Sequence, residues 1–288
     1  MEHCDILIIG AGAAGIAAAK AAWEAGCESI LLVDRKDTMG GVLRQCAHRG
    51  FGQNLSGPEY TSQLLEDFPE TVRWYPKTTV LSVTKEKIAL LSSGIFGRKT
   101  VSFQQLILAT GCREIPVGAL PIAGTRPHGI YTAGQMQEML NLYGFVPKDP
   151  VVILGSGDIG LVMANHLAER GLSVTLVEQR AACGGMESNQ RCLRTYVIPL
   201  HCNTTIREVF GTKELEAVSL SDGRMLPCKT LLIAAGLRPE RELVRDLEGE
   251  DWLHFCGNCS TVHPIVEAVV SEGEQAGLAA YETIRGNL

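Results

Sequence analysis

Gly10, Gly12 and Gly15, followed by Asp34, are the first residues in this chain whose types and spacing could do chemistry. The stretch from Asp5 to Asp34 reads as an apolar run, a glycine turn, an alanine-rich segment, a second apolar run and an acid. That order predicts strand, turn, helix and strand. In such a turn Gly10 permits a tight reversal, Gly12 lets the backbone approach a pyrophosphate, and Gly15 lets helix and strand pack closely. The helix aims its N-terminal N–H groups and the positive end of its dipole at the phosphates. Asp34 closes the second strand, where a carboxylate accepts hydrogen bonds from a ribose diol. The chemistry so encoded is dinucleotide binding.

The chain then repeats itself. Gly155, Gly157 and Gly160 restate the first three glycines, with Asp158 and Ile159 between the last two, and Glu178 restates Asp34. Gly171 likewise matches Gly26. A second echo pairs LILATG at Leu106–Gly111 with LLIAAG at Leu231–Gly236. The period is too long for a stacked repeat array, so the sequence predicts two copies of one nucleotide-binding domain.

The elements that must position these turns follow in order. Asp37 to Gly41 is a turn with paired glycines, Gly40 and Gly41, and Val42 to Asn54 is a loop carrying Gln45, Cys46 and His48. A helix is expected from Pro58 towards Phe68. From Val72 to Phe103 the period falls towards two, which predicts four short strands in a β meander. Leu106–Thr110 reads as a separate buried strand. Ile115 to Pro127 is rich in Pro and Gly and marks the first crossing between domains. Helices are expected over Thr132–Tyr143 and Asn189–Tyr196, strands near Arg207–Leu226, and a long terminal helix with Pro264 at its first position.

Composition is consistent with this. Of 288 residues, 45% are hydrophobic and 20% charged, which is the balance of a globular protein with room for two domains. A net charge of −6 argues against a nucleic-acid or anionic-membrane surface. The apolar run from Ile6 to Ala19 is too short to span a bilayer, and the acids Glu2 and Asp5 replace the cationic start of a signal peptide. Ten cysteines without a secretion signal imply a reducing cytoplasm.

The ordered set GAGAAG, VDR, GG, ATG, GSGDIG, VE, AAGLRPE and CGN…EG…AG resembles the flavoproteins with two dinucleotide-binding domains. The resemblance implies an α/β fold of two Rossmann-like, three-layer ββα domains, one for FAD and an inserted one for NAD(P). The FAD domain would comprise residues 1–122 and 242–288, and the NAD(P) domain 123–241. The FAD site would use Gly10, Gly12, Ala13, Ala14, Gly15, Asp34, Arg35, Gly40, Gly41, Val42, Val80, Ala109, Thr110, Gly111, Gly257, Asn258 and Pro264. The NAD site would use Gly155, Gly157, Asp158, Ile159, Gly160, Glu178 and Gly236. Where the family carries Gly-Asp to hold the ribityl chain, this sequence has Gly257-Asn258.

Longer matches, GGVLRQCAHRGFG, SGPEY, ATGCRE and TRPHGIYTAG, are similar to a narrower branch. It includes flavoprotein subunits found beside anaerobic glycerol-3-phosphate-dehydrogenase-like proteins. Those of hydroxyproline dehydrogenase, sarcosine oxidase and hydrogen cyanide synthase belong to it as well. The resemblance implies an oxidoreductase that exchanges hydride between FAD and NAD(H). It would work in a homo- or hetero-oligomer with a partner dehydrogenase subunit or electron-transfer protein, on a small hydroxy or amino compound. Glu178 predicts NADH over NADPH, with Arg180 as the opposing feature.

Cysteines supply the rival chemistry, thiol–disulfide reduction. Cys46 follows the GG turn and is the candidate catalytic residue, but it has no partner cysteine within five residues. The second domain has isolated Cys183, Cys192, Cys202 and Cys228, whereas a C-x-x-C pair, Cys256 and Cys259, falls in the expected FAD segment. Small buried thiols are common core fillers, and the sequence favours that reading of the pair over a redox dithiol. A third reading is a subunit that holds FAD without turnover. Scattered histidines predict no metal site, and no clustered cysteines point to an iron–sulfur centre held by this chain.

Overall fold

Runs such as ILLV at Ile30–Val33, VVIL at Val151–Leu154 and TLLI at Thr230–Ile233 lack any polar alternation, and every residue in them is buried. Strands of this kind belong in parallel sheets covered on both faces. The computed structural model describes residues 1–286. It has two units, Met1–Arg113 together with the chain from Arg238 onward, and Glu114–Leu237.

The first unit opens with β1 (Glu2–Ile9), α1 (Ala13–Glu24), β2 (Ile30–Val33), α2 (Gly57–Leu64), β3 (Arg73–Tyr75), β4 (Thr78–Val83), β5 (Ile88–Ser93) and β6 (Gly97–Leu108). The second contains β7 (Ile130–Thr132), α3 (Ala133–Tyr143), β8 (Val151–Leu154), α4 (Asp158–Glu169), β9 (Val174–Val177) and α5 (Glu187–Thr195). It continues with β10 (Leu200–His201), β11 (Ile206–Phe210), β12 (Ala217–Leu220), β13 (Met225–Pro227) and β14 (Thr230–Ile233). The chain then returns to the first unit with β15 (Leu253–Phe255) and α6 (Val266–Gly286).

Each unit has the same three layers. The first sheet runs parallel in the order β3-β2-β1-β6-β15, with Ile9 level with Val33 and Leu108. The second runs β10-β9-β8-β14-β7. On one face of the first sheet Ile6, Ile8 and Ile107 pack on Ala14, Ala18 and Ala22 of α1 and Ala276 and Ala280 of α6. On the other, Leu7, Leu106 and Leu108 meet the meander through Leu91, Val101 and Phe103. In the second unit Ile153 and Leu232 face Leu161 and Leu167 of α4, while Val152 and Leu231 face Val209 and Val218.

The structure corrects four local expectations. The segments read as RKTVSF and LILAT are one strand, β6, because no Gly or Pro interrupts Arg98–Leu108. Its first half pairs antiparallel with β5 and its second half parallel with β1 and β15. TVRWY leaves the meander: β3 pairs parallel with β2, and Lys77 at φ 49° turns the chain away before β4. The first crossing falls between Arg113 and Glu114, ahead of the Pro-rich stretch, because Val117, Leu120 and Ile122 pack into the second unit's core. The terminal helix begins at Val266, two residues beyond Pro264. The preceding segment is held instead by Asn258, whose Oδ1 accepts from His263 N at 3.0 Å.

Candidate nucleotide-binding sites

Backbone carbonyls explain the outer glycines of each turn. A Cβ at Gly10 would strike the Ala109 carbonyl and one at Gly15 the Gly10 carbonyl, with the Ala109 methyl 3.4 Å away. In the second copy Gly155 meets the Ala234 carbonyl and Gly160 the Gly155 carbonyl, with the Ala234 methyl again at 3.4 Å. Ala109 and Ala234 follow β6 and β14, so the echo noted in the sequence is the packing partner of the glycine turn. The middle glycines differ. At Gly12 and Gly157 a Cβ would meet no protein atom within 4 Å.

Gly12 and Gly157 also cap α1 and α4, and neither end has a side-chain cap. Their first N–H groups are therefore donors for an anion. Space and dipole both fit a pyrophosphate there. The first turn of α1 contains no acid, whereas that of α4 contains Asp158. Asp158 Oδ1 accepts from Met186 N at 2.8 Å and Asn189 Nδ2 at 2.7 Å, fastening the loop that follows, and Ile159 packs into the core.

The two acids are held unequally. Asp34 accepts from Ala11 N and Lys36 N, both at 2.8 Å. Glu178 Oε2 accepts from Ser156 N at 2.9 Å and Ser156 Oγ at 2.5 Å, and its Oε1 from Arg180 N at 2.9 Å and Nε at 3.1 Å. Burial alone would push the Glu178 pKa up, but the Arg180 and Ser156 donors outweigh it and hold it at about 2. Ser156 is not evident as a site residue from sequence. Its only signal is a hydroxyl where the first copy has Ala11.

Paired glycines close over both turns. Gly40 N donates to Ala11 O at 2.7 Å, and a Cβ at Gly41 would lie 3.0 Å from Gly12 Cα. Gly184 N and Gly185 N donate to Ser156 O in the same manner. The terminal turn lies against α1, since a Cβ on Gly257, at φ 66°, would come 2.8 Å from the Ala14 methyl. Gly257 N donates to Glu272 Oε2 at 2.8 Å, and Glu272 Oε1 lies 2.8 Å from His263 Nε2. With Asn258 Oδ1 engaged by His263, the amide nitrogen of Asn258 is its remaining polar group.

Other expected residues are more dispersed. Ala13 and Ala14 are buried in the first turn of α1, and Thr110 Oγ1 donates to Glu240 O at 2.6 Å. Gly111 O accepts from Glu240 N at 3.0 Å, and Gly236 O from Ile115 N at 3.1 Å. Val80 sits in β4 opposite Leu91, while Arg35, Val42 and Pro264 are exposed.

The thiols occupy apolar surroundings. Cys46 is buried, its Sγ donates to Val42 O at 3.3 Å, and burial pushes its pKa up to about 12. Cys256 and Cys259 have no exposed surface, both thiols donate to Leu108 O, and burial raises both pKa values. A reactive thiolate needs the opposite setting, partial exposure beside positive charge. Among the described residues no helix is long and apolar enough to cross a membrane.

Comparison with known proteins agrees with this architecture. An opine oxidase subunit from Agrobacterium tumefaciens (strain Ach5) is 28% identical over 274 residues, covering 84% of this chain and 54% of that protein. The alpha subunit of sarcosine oxidase from Rhizobium meliloti (strain 1021) is 28% identical over 262 residues, covering 82% of this chain and 25% of that protein. The chain thus spans about half the length of the first relative and a quarter of the second. Thioredoxin reductase from T. acidophilum has the same fold, with a TM-score of 0.79 over 99% of this chain and 100% of that one at 19% identity. The family model for pyridine nucleotide-disulphide oxidoreductases matches residues 4–251, a span that takes in both glycine turns. This chain therefore belongs to that family, whose enzymes bind FAD and NAD(P).

Proposed function

We propose that this chain is the flavoprotein subunit of a multi-subunit dehydrogenase, holding FAD in the first unit and NAD(H) in the second and exchanging hydride between them. The observation that carries this reading is the repetition of one cradle, with Gly12 and Gly157 each opening onto a helix N-terminus. FAD, when bound, supplies the capacity to accept or release hydride, which protein side chains lack. The chain's own groups bind and orient. The first N–H groups of α1 and α4 donate to phosphates, and Asp34 and Glu178 fix the adenosine ends. Assigning FAD to the first unit is supported by its construction: β15, the Gly257 turn and α6 complete it only after the second unit has interrupted it. The opine oxidase and sarcosine oxidase relatives are by name subunits of larger oxidases. That supports a partner which oxidises a small hydroxy or amino compound. Burial of Cys46, Cys256 and Cys259 weighs against a dithiol mechanism.

The purified protein should be yellow, and anaerobic NADH should bleach it. A colourless protein that FAD cannot reconstitute would defeat the assignment, and bound flavin that NADH leaves unbleached would point to a subunit that only holds FAD. NADH should be preferred to NADPH by about tenfold, or about 1.4 kcal/mol, because a 2′-phosphate would approach the buried Glu178 carboxylate. Comparable affinity for both nucleotides would refute that preference.

A further inference from the structure

Ser156 is fully buried between the first two glycines of the second turn. Gly184 N donates to its Oγ at 3.1 Å, and a backbone N–H can only donate. The hydroxyl proton is therefore directed elsewhere, to Glu178 Oε2 at 2.5 Å, which also accepts from Ser156 N. One carboxylate oxygen is fixed in this way, and the other accepts from Arg180 N and Nε, while Arg180 Nη2 also reaches Oε2 at 3.5 Å. Arg180 lies so close to Gly184 that a Cβ there would overlap the guanidinium. A continuous chain of donors thus runs from Gly184 through Ser156 to Glu178, and the guanidinium is pinned at its end. The first copy has no such device, since Ala11 carries no hydroxyl and Asp34 is held through backbone N–H groups.

We propose that Ser156 is a specificity-determining positioning residue: it fixes Glu178 so that the carboxylate retains the Arg180 guanidinium and withholds it from a 2′-phosphate. The inference rests on the assignment of NAD(H) to the second unit. A guanidinium is a strong bidentate phosphate partner, so an unlatched Arg180 would favour NADPH. To leave, however, it must abandon a carboxylate that is only 5% exposed, and an unpaired buried charge is costly. Ser156 acts through geometry, holding the rotamer of Glu178 that presents Oε1 to Arg180.

The test is anaerobic equilibrium titration, with NADH and with NADPH, of protein whose bound FAD has first been reduced with dithionite, followed by nucleotide fluorescence. Ser156→Ala should tighten NADPH several-fold while changing NADH less, and Ala11 in the first copy shows that the turn tolerates alanine. Glu178→Gln should also tighten NADPH, and Glu178→Gln/Arg180→Ala should lose that gain. Arg180→Ala alone, at an exposed side chain, should leave NADPH affinity within about twofold to threefold. A tenfold loss of NADPH affinity in Arg180→Ala would overturn the latch, because the guanidinium would already be serving the phosphate. So would unchanged constants in Ser156→Ala, even in a wild type that prefers NADH. A wild type without NADH preference, in which Ser156→Ala still tightens NADPH through Arg180, would refute the proposed preference and leave the latch standing.

Discussion

Gly12→Val should separate cofactor binding from folding. The added Cβ meets no protein atom within 4 Å, and the backbone at φ −77°, ψ −171° is extended and open to any residue. Two small effects on the apoprotein oppose each other. Valine is a poorer N-cap than glycine, by roughly 1 kcal/mol, while loss of chain freedom in the unfolded state stabilises by roughly 0.4–1 kcal/mol. Apoprotein stability should therefore change by less than about 1 kcal/mol. The same side chain fills the phosphate cradle, so FAD affinity should fall at least about a hundredfold, or about 2.8 kcal/mol. Gly15→Ala is the control. Its smaller side chain collides with the Gly10 carbonyl, and overpacking of this kind destabilises by about 1–3 kcal/mol. Urea unfolding of the apoproteins and equilibrium dialysis with FAD read the two quantities separately. Near-normal FAD affinity in Gly12→Val, or a stability loss equal to that of Gly15→Ala, would refute the reasoning.

Serine at Cys46, Cys256 or Cys259 should leave NADH-driven bleaching largely intact. A reductive titration that takes up two extra electrons per flavin, lost in Cys256→Ser, would show a working dithiol instead. Glu178 has a folded pKa of about 2 against an ordinary 4.5. Its contribution to stability is thus full above the unfolded value and is lost as pH falls through the folded one. Glu178→Gln should flatten the loss of stability between about pH 4.5 and 2, and an unchanged acid slope in chemical denaturation would count against the Ser156–Arg180 donor set. Gly257→Ala forces a side chain into a positive-φ turn 2.8 Å from the Ala14 methyl. It should lower stability by about 1–3 kcal/mol and weaken FAD retention, and a melting curve like the wild type's would place the turn elsewhere.

The glycine turns were legible in the sequence because part of their constraint is local: Gly15 answers to the Gly10 carbonyl within the strand–turn–helix itself, while Gly10 answers to the Ala109 carbonyl that the repeated strand supplies. The repeat doubled that signal and also pointed to Ala109 and Ala234. What the sequence left open depends on tertiary partners. β6 looked like two strands because its first half alternates and its second half does not, and only its differing neighbours explain the change. Pro264 looked like a helix start by propensity, yet the Asn258 contact to His263 sets that boundary. Glu178 was legible as an acid at a strand end, but Ser156, which directs it, lies 22 residues earlier in sequence and resembles any loop serine. Cys46 showed its type and neighbours; only burial reveals the state of its thiol.

The discontinuity of the first unit gives its assembly a direction. Domains fold N-terminal first as the chain emerges during synthesis, and the first glycine turn is made before the second unit. Its cover is made after the second unit: the Gly257 turn rests on Ala14, and Gly273 and Gly277 of α6 sit against the Ala14 and Ala18 carbonyls. Residues 114–237 emerge in one piece and can pack while α1 still presents Ala14, Ala18 and Ala22 to water. The newborn chain thus carries a bare apolar helix for as long as the second unit takes to emerge, and the cradle at Gly12 gains its cover only when α6 has followed.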